Sequence, residues 1–205
     1  PRGADEWTVL RVAGDDVGEV EGSDGGYRFR GMLIDTPLPV GYPRPTPPGA
    51  VELKKYPSVR RAEVAGSMSP DIGMNLKFWP LFNHIKRREI AMTSPVEMDY
   101  AGTGPNPGHA PDRWTMSFLY REPANGELGK DRSVEVVDTE PVTVLATGIR
   151  GRYAWQKLQE PLASLGRWLE THPEWERAGD ARALYYNGPD RRTSDLWAEV
   201  QIPVR

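Results

Sequence analysis

Two stretches of this chain read alike, and that repetition constrains the fold more than any other feature. Val51-Glu52-Leu53-Lys54-Lys55-Tyr56-Pro57, continuing through residues 58–66, has the outline of Val134-Glu135-Val136-Val137-Asp138-Thr139-Glu140-Pro141, continuing through residues 142–151. Each reads as a strand, a break at a proline that cannot continue a central strand, and a second strand. Each pair then enters a helical segment, at residues 74–88 in the first half and 153–171 in the second. In the latter, Leu158, Leu162, Leu165 and Leu169 recur at i, i+4, i+7 and i+11. Two further strand-like runs follow each helix, at 90–98 and 113–121, then at 181–187 and 195–202.

A repeated unit of this kind buries its apolar face against its neighbour. Two ββαββ units therefore predict an α+β fold: one antiparallel sheet or distorted barrel of about eight strands, flanked by two amphipathic helices. The cleft along the pseudo-symmetry axis is the default place for a ligand.

The units occupy about 51–121 and 133–203 of a domain at 51–205, which leaves residues 1–50 as a separate preface. Residues 7–12 alternate as a strand does, and 14–26 are acidic and glycine-rich, as in a loop or loose hairpin. Between 36 and 49, Pro37, Pro39, Pro43, Pro45, Pro47 and Pro48 exclude helix and central strand and leave an extended arm. Such an insert is expected to be an interaction arm or a cover for the cleft.

The 205 residues fit one domain with some additional loop. With 26 Lys+Arg against 29 Asp+Glu, no excess of positive charge is present to hold a phosphate backbone, which argues against a nucleic-acid partner. No apolar run approaches the roughly 18 to 20 residues of a membrane span, so a soluble chain is expected. The absence of cysteine excludes disulfides, thiolate nucleophiles and Cys-ligated metals. The sequence begins at Pro1, so a leader removed ahead of it is compatible with the reading and the compartment stays open.

On a helical wheel, the first helix places Met74, Phe78, Leu81, Phe82 and Ile85 on one stripe, the pattern of a core-facing side. Lys77, His84 and Arg88 gather at the edge of that stripe, beside Leu81. The same edge also fits a solvated helix flank. An apolar surface bordered by cations nevertheless suits a flat amphiphilic anion such as haem, whose macrocycle seeks apolar contact, whose propionates seek Lys or Arg, and whose iron can take a histidine nitrogen.

The other two histidines, His109 and His172, show no metal-ligand spacing with His84, which argues against zinc. Met68, Met74, Met92, Met98 and Met116 read as gap-filling core rather than axial sulfurs. No G-x-S-x-G is present, and Ser94 before Pro95 has no histidine at a telling distance in sequence. Glu97 and Asp99 share one face of a strand, solvent being the simpler destination for both. The seven tryptophans are too scattered for a stacking platform.

Taken in order, Val51-Glu52-Leu53-Lys54-Lys55-Tyr56-Pro57, Phe78-Trp79-Pro80-Leu81-Phe82-Asn83-His84-Ile85 and Ile90-Ala91-Met92-Thr93-Ser94-Pro95-Val96 resemble the SOUL haem-binding family. The last two are similar to its F-x-x-L-F-x-Y-I and I-x-M-T-A-P-V signatures. The resemblance runs on through Gly151 to Tyr185-Tyr186-Asn187-Gly188-Pro189, Arg191-Arg192 and Leu196-Trp197, and covers about 51–204. It implies two βαββ-like repeats, an eight-stranded sheet with two helices, and non-covalent binding of haem, with haem b as the expected cofactor.

Some members of that family carry a proposed axial histidine at the place of Lys55. Others are described as holding haem in an apolar groove with basic side chains on its propionates. The resemblance therefore implies Lys55, Lys77 and Arg88 for the propionates, Leu81 and Met74 for the ring, and His84, which stands where the family has an aromatic, as the candidate iron ligand. Ser94 replaces the usual alanine, Asp195 the common glutamate, and the turn after the first helix is shortened to Lys86-Arg87-Arg88-Glu89. A binding protein rather than an enzyme is expected. Two other readings stay open: an effector-binding domain of gyrase-inhibitor-like type, which holds amphiphilic cations or drugs between the repeats, often against a buried glutamate, and a cleft hydrolase using Ser94, Glu97, His84 and tyrosines.

Overall fold

In a computed structural model, residues 7–23, 25–104, 108, 110–188 and 190–205 are described, so His109 and Pro189 lie outside the described residues. Strand β1 (Val9–Ala13) leads the chain and is followed by a small sheet of β2 (Glu21–Ser23), β3 (Gly26–Phe29) and β4 (Met32–Ile34). The first unit comprises β5 (Val51–Tyr56), β6 (Arg60–Gly66), α1 (Pro70–Arg87), β7 (Val96–Tyr100) and β8 (Trp114–Leu119). After a short β9 (Gly129–Asp131), the second comprises β10 (Val134–Asp138), β11 (Val142–Arg150), α2 (Trp155–Glu170), β12 (Arg182–Tyr185) and β13 (Trp197–Val204).

The main sheet has ten strands in the order β1-β5-β11-β13-β12-β7-β8-β6-β10-β9, antiparallel throughout and open rather than closed into a barrel. The first strand of each unit crosses to pair with the second strand of the other, β5 with β11 and β10 with β6. The central eight strands are thus arranged alike on both sides of the β12–β7 seam, where Ala183 faces Met98. Strands β1 and β9 extend each edge beyond the eight expected from the repeats.

Strand alternation sends one set of side chains to each face. On β13, Ala198, Val200, Ile202 and Val204 join Leu81 and Ile85 of α1 and Leu158, Leu162 and Leu165 of α2 in the main core. Trp197, Glu199 and Gln201 take the other register. That second face is covered by the insert: Tyr27, Phe29, Met32, Ile34, Leu38 and Tyr42 pack on Tyr56, Val144, Leu184, Tyr186 and Trp197. No helix is long and apolar enough to cross a membrane among the described residues.

Three boundaries differ from the sequence reading, each for a local reason. Helix α1 starts at Pro70 rather than 74, because proline suits the first helical position and the Ile72 and Gly73 amides bond the Ser69 carbonyl. Residues 90–95 are not strand: the Ile90 N–H bonds Ile85 O, the Ser94 N–H goes to Pro37 O of the insert, and Pro95 has no N–H to give. The acidic loop runs into a hairpin, β3 to β4, whose turn residues Arg30 and Gly31 both have positive φ, 43° and 84°.

Candidate functional site

Helix α1 is apolar on two sides. Its inner side carries the buried Leu81 and Ile85, while Ile72, Leu76 and Trp79 are about 60 % exposed, at 65 %, 59 % and 60 %, with Met68 ahead of them at 43 %. Positions 68, 72, 76 and 79 form one stripe at helical spacing, and it faces solvent. Phe78 and Phe82 flank it, stacked at 5.8 Å, with the Trp79 indole edge-on to both at 5.9 and 6.0 Å. Along the same line toward the C-terminus come the exposed Asn83, Lys86 and Arg87, so the stripe ends in cations. Contiguous exposed apolar surface with a polar border marks a contact site.

The residues singled out in the sequence fall into three environments. His84 is buried, its Nδ1 2.7 Å from Asp131 Oδ2 and its Nε2 2.8 Å from the Tyr120 hydroxyl. An ionised carboxylate only accepts, so Nδ1 carries a proton toward it and both ring nitrogens are engaged; neither faces a groove. Asp131 also receives Arg87 Nη2 at 2.8 Å, and its carboxyl is held down at about 2, first by the His84 bond and then by Arg87. Leu81 is wholly inside the core rather than on a ligand surface, and Met74 is half-buried against that core.

Lys77 is half-buried on the α1 flank, and Arg88 is exposed with Nε 3.5 Å from Asp131. Lys55 stands apart: it lies on β5, separated from β6 under α1 by five strands, with its ammonium 4.3 Å from the Trp7 ring centre. The structure therefore gathers Met74, Lys77, Leu81 and His84 on α1, with Arg88 as its C-cap, but does not bring Lys55 to it.

What the sequence reading missed is the polar character of the insert-covered face. Glu52, Lys54, Glu97, Ser117, Arg182, Glu199 and Gln201 are all buried there. Lys54 Nζ is 2.6 Å from Glu199 Oε1, and Gln201 links Glu199, Tyr56 and Arg182 through bonds of 2.7 to 2.8 Å. Arg11 and Arg44 hold Glu52 at 3.2 and 2.8 Å. Near the β7–β12 seam the insert leaves a cavity of about 380 Å³, bordered by Tyr42, Tyr56, Arg61, Glu97, Asp99 and Arg182. The signal was present as polar residues two apart, Glu52 and Lys54 on β5 and Glu199 and Gln201 on β13, but only a cover turns such a face inward.

Residues 44–202 match the SOUL heme-binding protein family. The chain belongs to that family. No curated protein sequence matches it at a significant level. Among solved structures, the SOUL domain is similar to EcmrR in its DNA complex, with a TM-score of 0.63 and 12 % identity over 76 % of this chain and 57 % of that one. It thus spans little more than half of that relative. It is also similar to the EcmrR C-terminal domain (TM-score 0.56, 12 % identity, 76 % and 96 % covered) and to a hydrolase encoded by lin2189 of Listeria innocua (0.55, 14 %, 76 % and 91 %). At these identities the likeness shows the fold alone.

Proposed function

We propose that this protein binds a haem-type tetrapyrrole non-covalently on the outer side of α1, without a histidine on the iron. The observation that carries the reading is the solvent-facing stripe of Met68, Ile72, Leu76 and Trp79. At 1.5 Å per residue, Ile72 to Trp79 covers about 10 Å of helix, and Lys86 lies about 10 Å beyond. A flat apolar ring laid on the stripe places its carboxylates toward Lys86, Arg87 and Arg88, with Lys77 on the flank.

The residues present fit such a ligand through apolar and charge contacts. Membership of the SOUL family supports a tetrapyrrole as the ligand class, and haem b is the first to test. When bound, the tetrapyrrole supplies its own metal chemistry; the chain supplies the apolar bed and the cations. His84 serves instead to hold α1 to β9 through Asp131 and to the residue just after β8, Tyr120.

Titration with ferric haem, followed at the Soret band, tests this. Saturable binding is expected, weakened about tenfold or more by Leu76→Ser with Trp79→Ser, since each side chain contributes about 1 kcal/mol or more when covered. Lys86→Glu weakens it further, and His84→Gln leaves the bound spectrum unchanged. Absence of saturation, or indifference to the stripe, overturns the proposal.

A further inference from the structure

The cavity at the β7–β12 seam lies on the sheet face away from α1, so it is independent of the surface assigned to the tetrapyrrole. Its floor comes from neighbouring strands: Arg182 of β12 opposite Asp99 of β7, Asp99 opposite Thr115 of β8, and Arg61 reaching over from β6. Tyr56 of β5 and Tyr42 of the insert form one wall, their rings edge to face at 4.9 Å. The Arg182 guanidinium lies over the Tyr56 ring at 4.9 Å.

On the floor two guanidiniums meet three carboxylates. Arg61 Nη1 is 2.7 Å from both Glu97 Oε1 and Asp99 Oδ2, and its Nη2 is 2.9 Å from Glu63. Arg182 donates through Nε to Gln201 Oε1 at 2.7 Å and through Nη1 to Glu97 Oε1 at 3.4 Å. Two atoms of this cluster are left over. Glu97 Oε2, an acceptor, and Arg182 Nη2, a donor, are buried without a partner on residues only 1 % and 8 % exposed. Ser117, directly across from Glu97, has an unpartnered hydroxyl as well. Orphans of this kind cost about 1–3 kcal/mol each, and native proteins satisfy them with a ligand or ordered water.

We propose that this cavity is a second ligand site, selective for a small neutral molecule that presents an N–H beside a carbonyl, such as a carboxamide or lactam on an aromatic ring. An N–H answers Glu97 Oε2 while the carbonyl answers Arg182 Nη2, and the Tyr42 and Tyr56 rings take the flat body. A lipophilic cation meets the carboxylates of the lining, Glu140 and Asp180 among them, but supplies no acceptor for Arg182 Nη2. An anion supplies no donor and faces the free oxygen of Glu97. Because Tyr42 comes from the insert, the site is complete only with the insert in place.

The test uses three probes of one size, benzamide, benzylammonium and benzoate, titrated into the full chain and followed by amide NMR shifts. Benzamide is expected to bind saturably, shifting Tyr42, Thr115 and Val142, with both ions at least about tenfold weaker. Glu97→Gln weakens benzamide about tenfold. Ala101→Phe, at an exposed position on the cavity rim, blocks it while leaving the floor untouched. Leu76→Ser with Trp79→Ser leaves it unchanged, which separates this site from the tetrapyrrole surface. Equal or tighter binding of either ion, no effect of Ala101→Phe, or no saturation by any probe overturns the proposal, the last outcome marking a cavity filled by water only.

Discussion

Lys54 Nζ lies 2.6 Å from Glu199 Oε1 with both side chains fully buried, and the pair joins the sheet to the insert. Glu199 Oε1 also accepts the Thr46 N–H at 2.5 Å and the Tyr186 hydroxyl at 2.9 Å, while Lys54 donates to Arg44 O at 2.6 Å. Burial pushes the Glu199 carboxyl up, but Lys54, the Thr46 amide and Gln201 together hold it below the usual carboxylate range. Burial also lowers Lys54, against the pull of Glu199. Two of the pair's partners, Thr46 N and Arg44 O, belong to the insert, so removing either charge loosens the cover as well as the sheet.

Lys54→Met is therefore expected to cost about 3–5 kcal/mol, because it leaves a buried carboxylate without its counter-ion. Adding Glu199→Gln should recover at least about 1 kcal/mol, since glutamine keeps an acceptor for the Thr46 amide and removes the stranded charge. Urea unfolding of the two single variants and the double variant measures this. A loss below about 1 kcal/mol for Lys54→Met would show that the pair does not hold the face together.

Gly148 on β11 marks where the insert touches the sheet. A Cβ there would overlap Thr46 O and stand 2.5 Å from Pro47 C and 2.6 Å from Pro48 N, all of them backbone atoms that cannot rotate away. Pro48 also forms a bridge with Gly148. Gly148→Ala should lift residues 44–48, cost about 1–3 kcal/mol, and speed proteolysis and amide exchange in the insert before the rest of the chain. Unchanged protection of the insert would mean that this contact is not what seats it.

The strand pairs at 51–66 and 134–150 were legible because strand, proline and strand leave a pattern that does not depend on partners. The leucines of α2 were legible for the same reason, being spaced to one face. The second side of α1 was harder: a wheel shows Ile72, Leu76 and Trp79 clustered, but counting the helix from 74 left Ile72 outside it. His84 reads from the wheel as an edge residue, yet it is buried, and its partner Asp131 sits in a short edge strand that no periodicity announces. The cavity depends on the insert folding over the sheet, a long-range contact between Thr46 and residue 199 that local patterning cannot encode.

The His84–Asp131 link predicts an acid response. Asp131 is held at about 2, against 3.8 for a free aspartate, by the His84 bond and by Arg87. A carboxyl depressed on folding contributes stability that is complete above its unfolded value and is lost as pH falls through the folded one. That window runs from about pH 4 down to about 2. Asp131→Asn should be less stable than the parent at neutral pH, with the difference shrinking across this window. The measurement is thermal unfolding at a series of pH values. A gap that stays constant down to the lowest pH would assign the loss to packing instead of charge.

Gly73 offers a test of sign at the base of the exposed stripe. Within a helix, alanine is favoured over glycine by about 0.8–1 kcal/mol. Here a Cβ would overlap the Trp114 indole, which is wedged between α1 and Gly66 of β6 and cannot retreat into either. Its Nε1 is also fixed, donating to Met68 O at 2.7 Å. Overpacking of this kind costs about 1–3 kcal/mol, enough to outweigh the helical gain. Gly73→Ala should then lower Tm by several degrees, whereas Asn75→Ala, exposed on the same helix, should raise it slightly. Because Met68, whose carbonyl holds the Trp114 indole, begins the exposed stripe, the same change should also weaken ferric haem while Asn75→Ala does not. A Gly73→Ala protein as stable as the parent would mean that the indole has room, and that the start of α1 is not set by this contact.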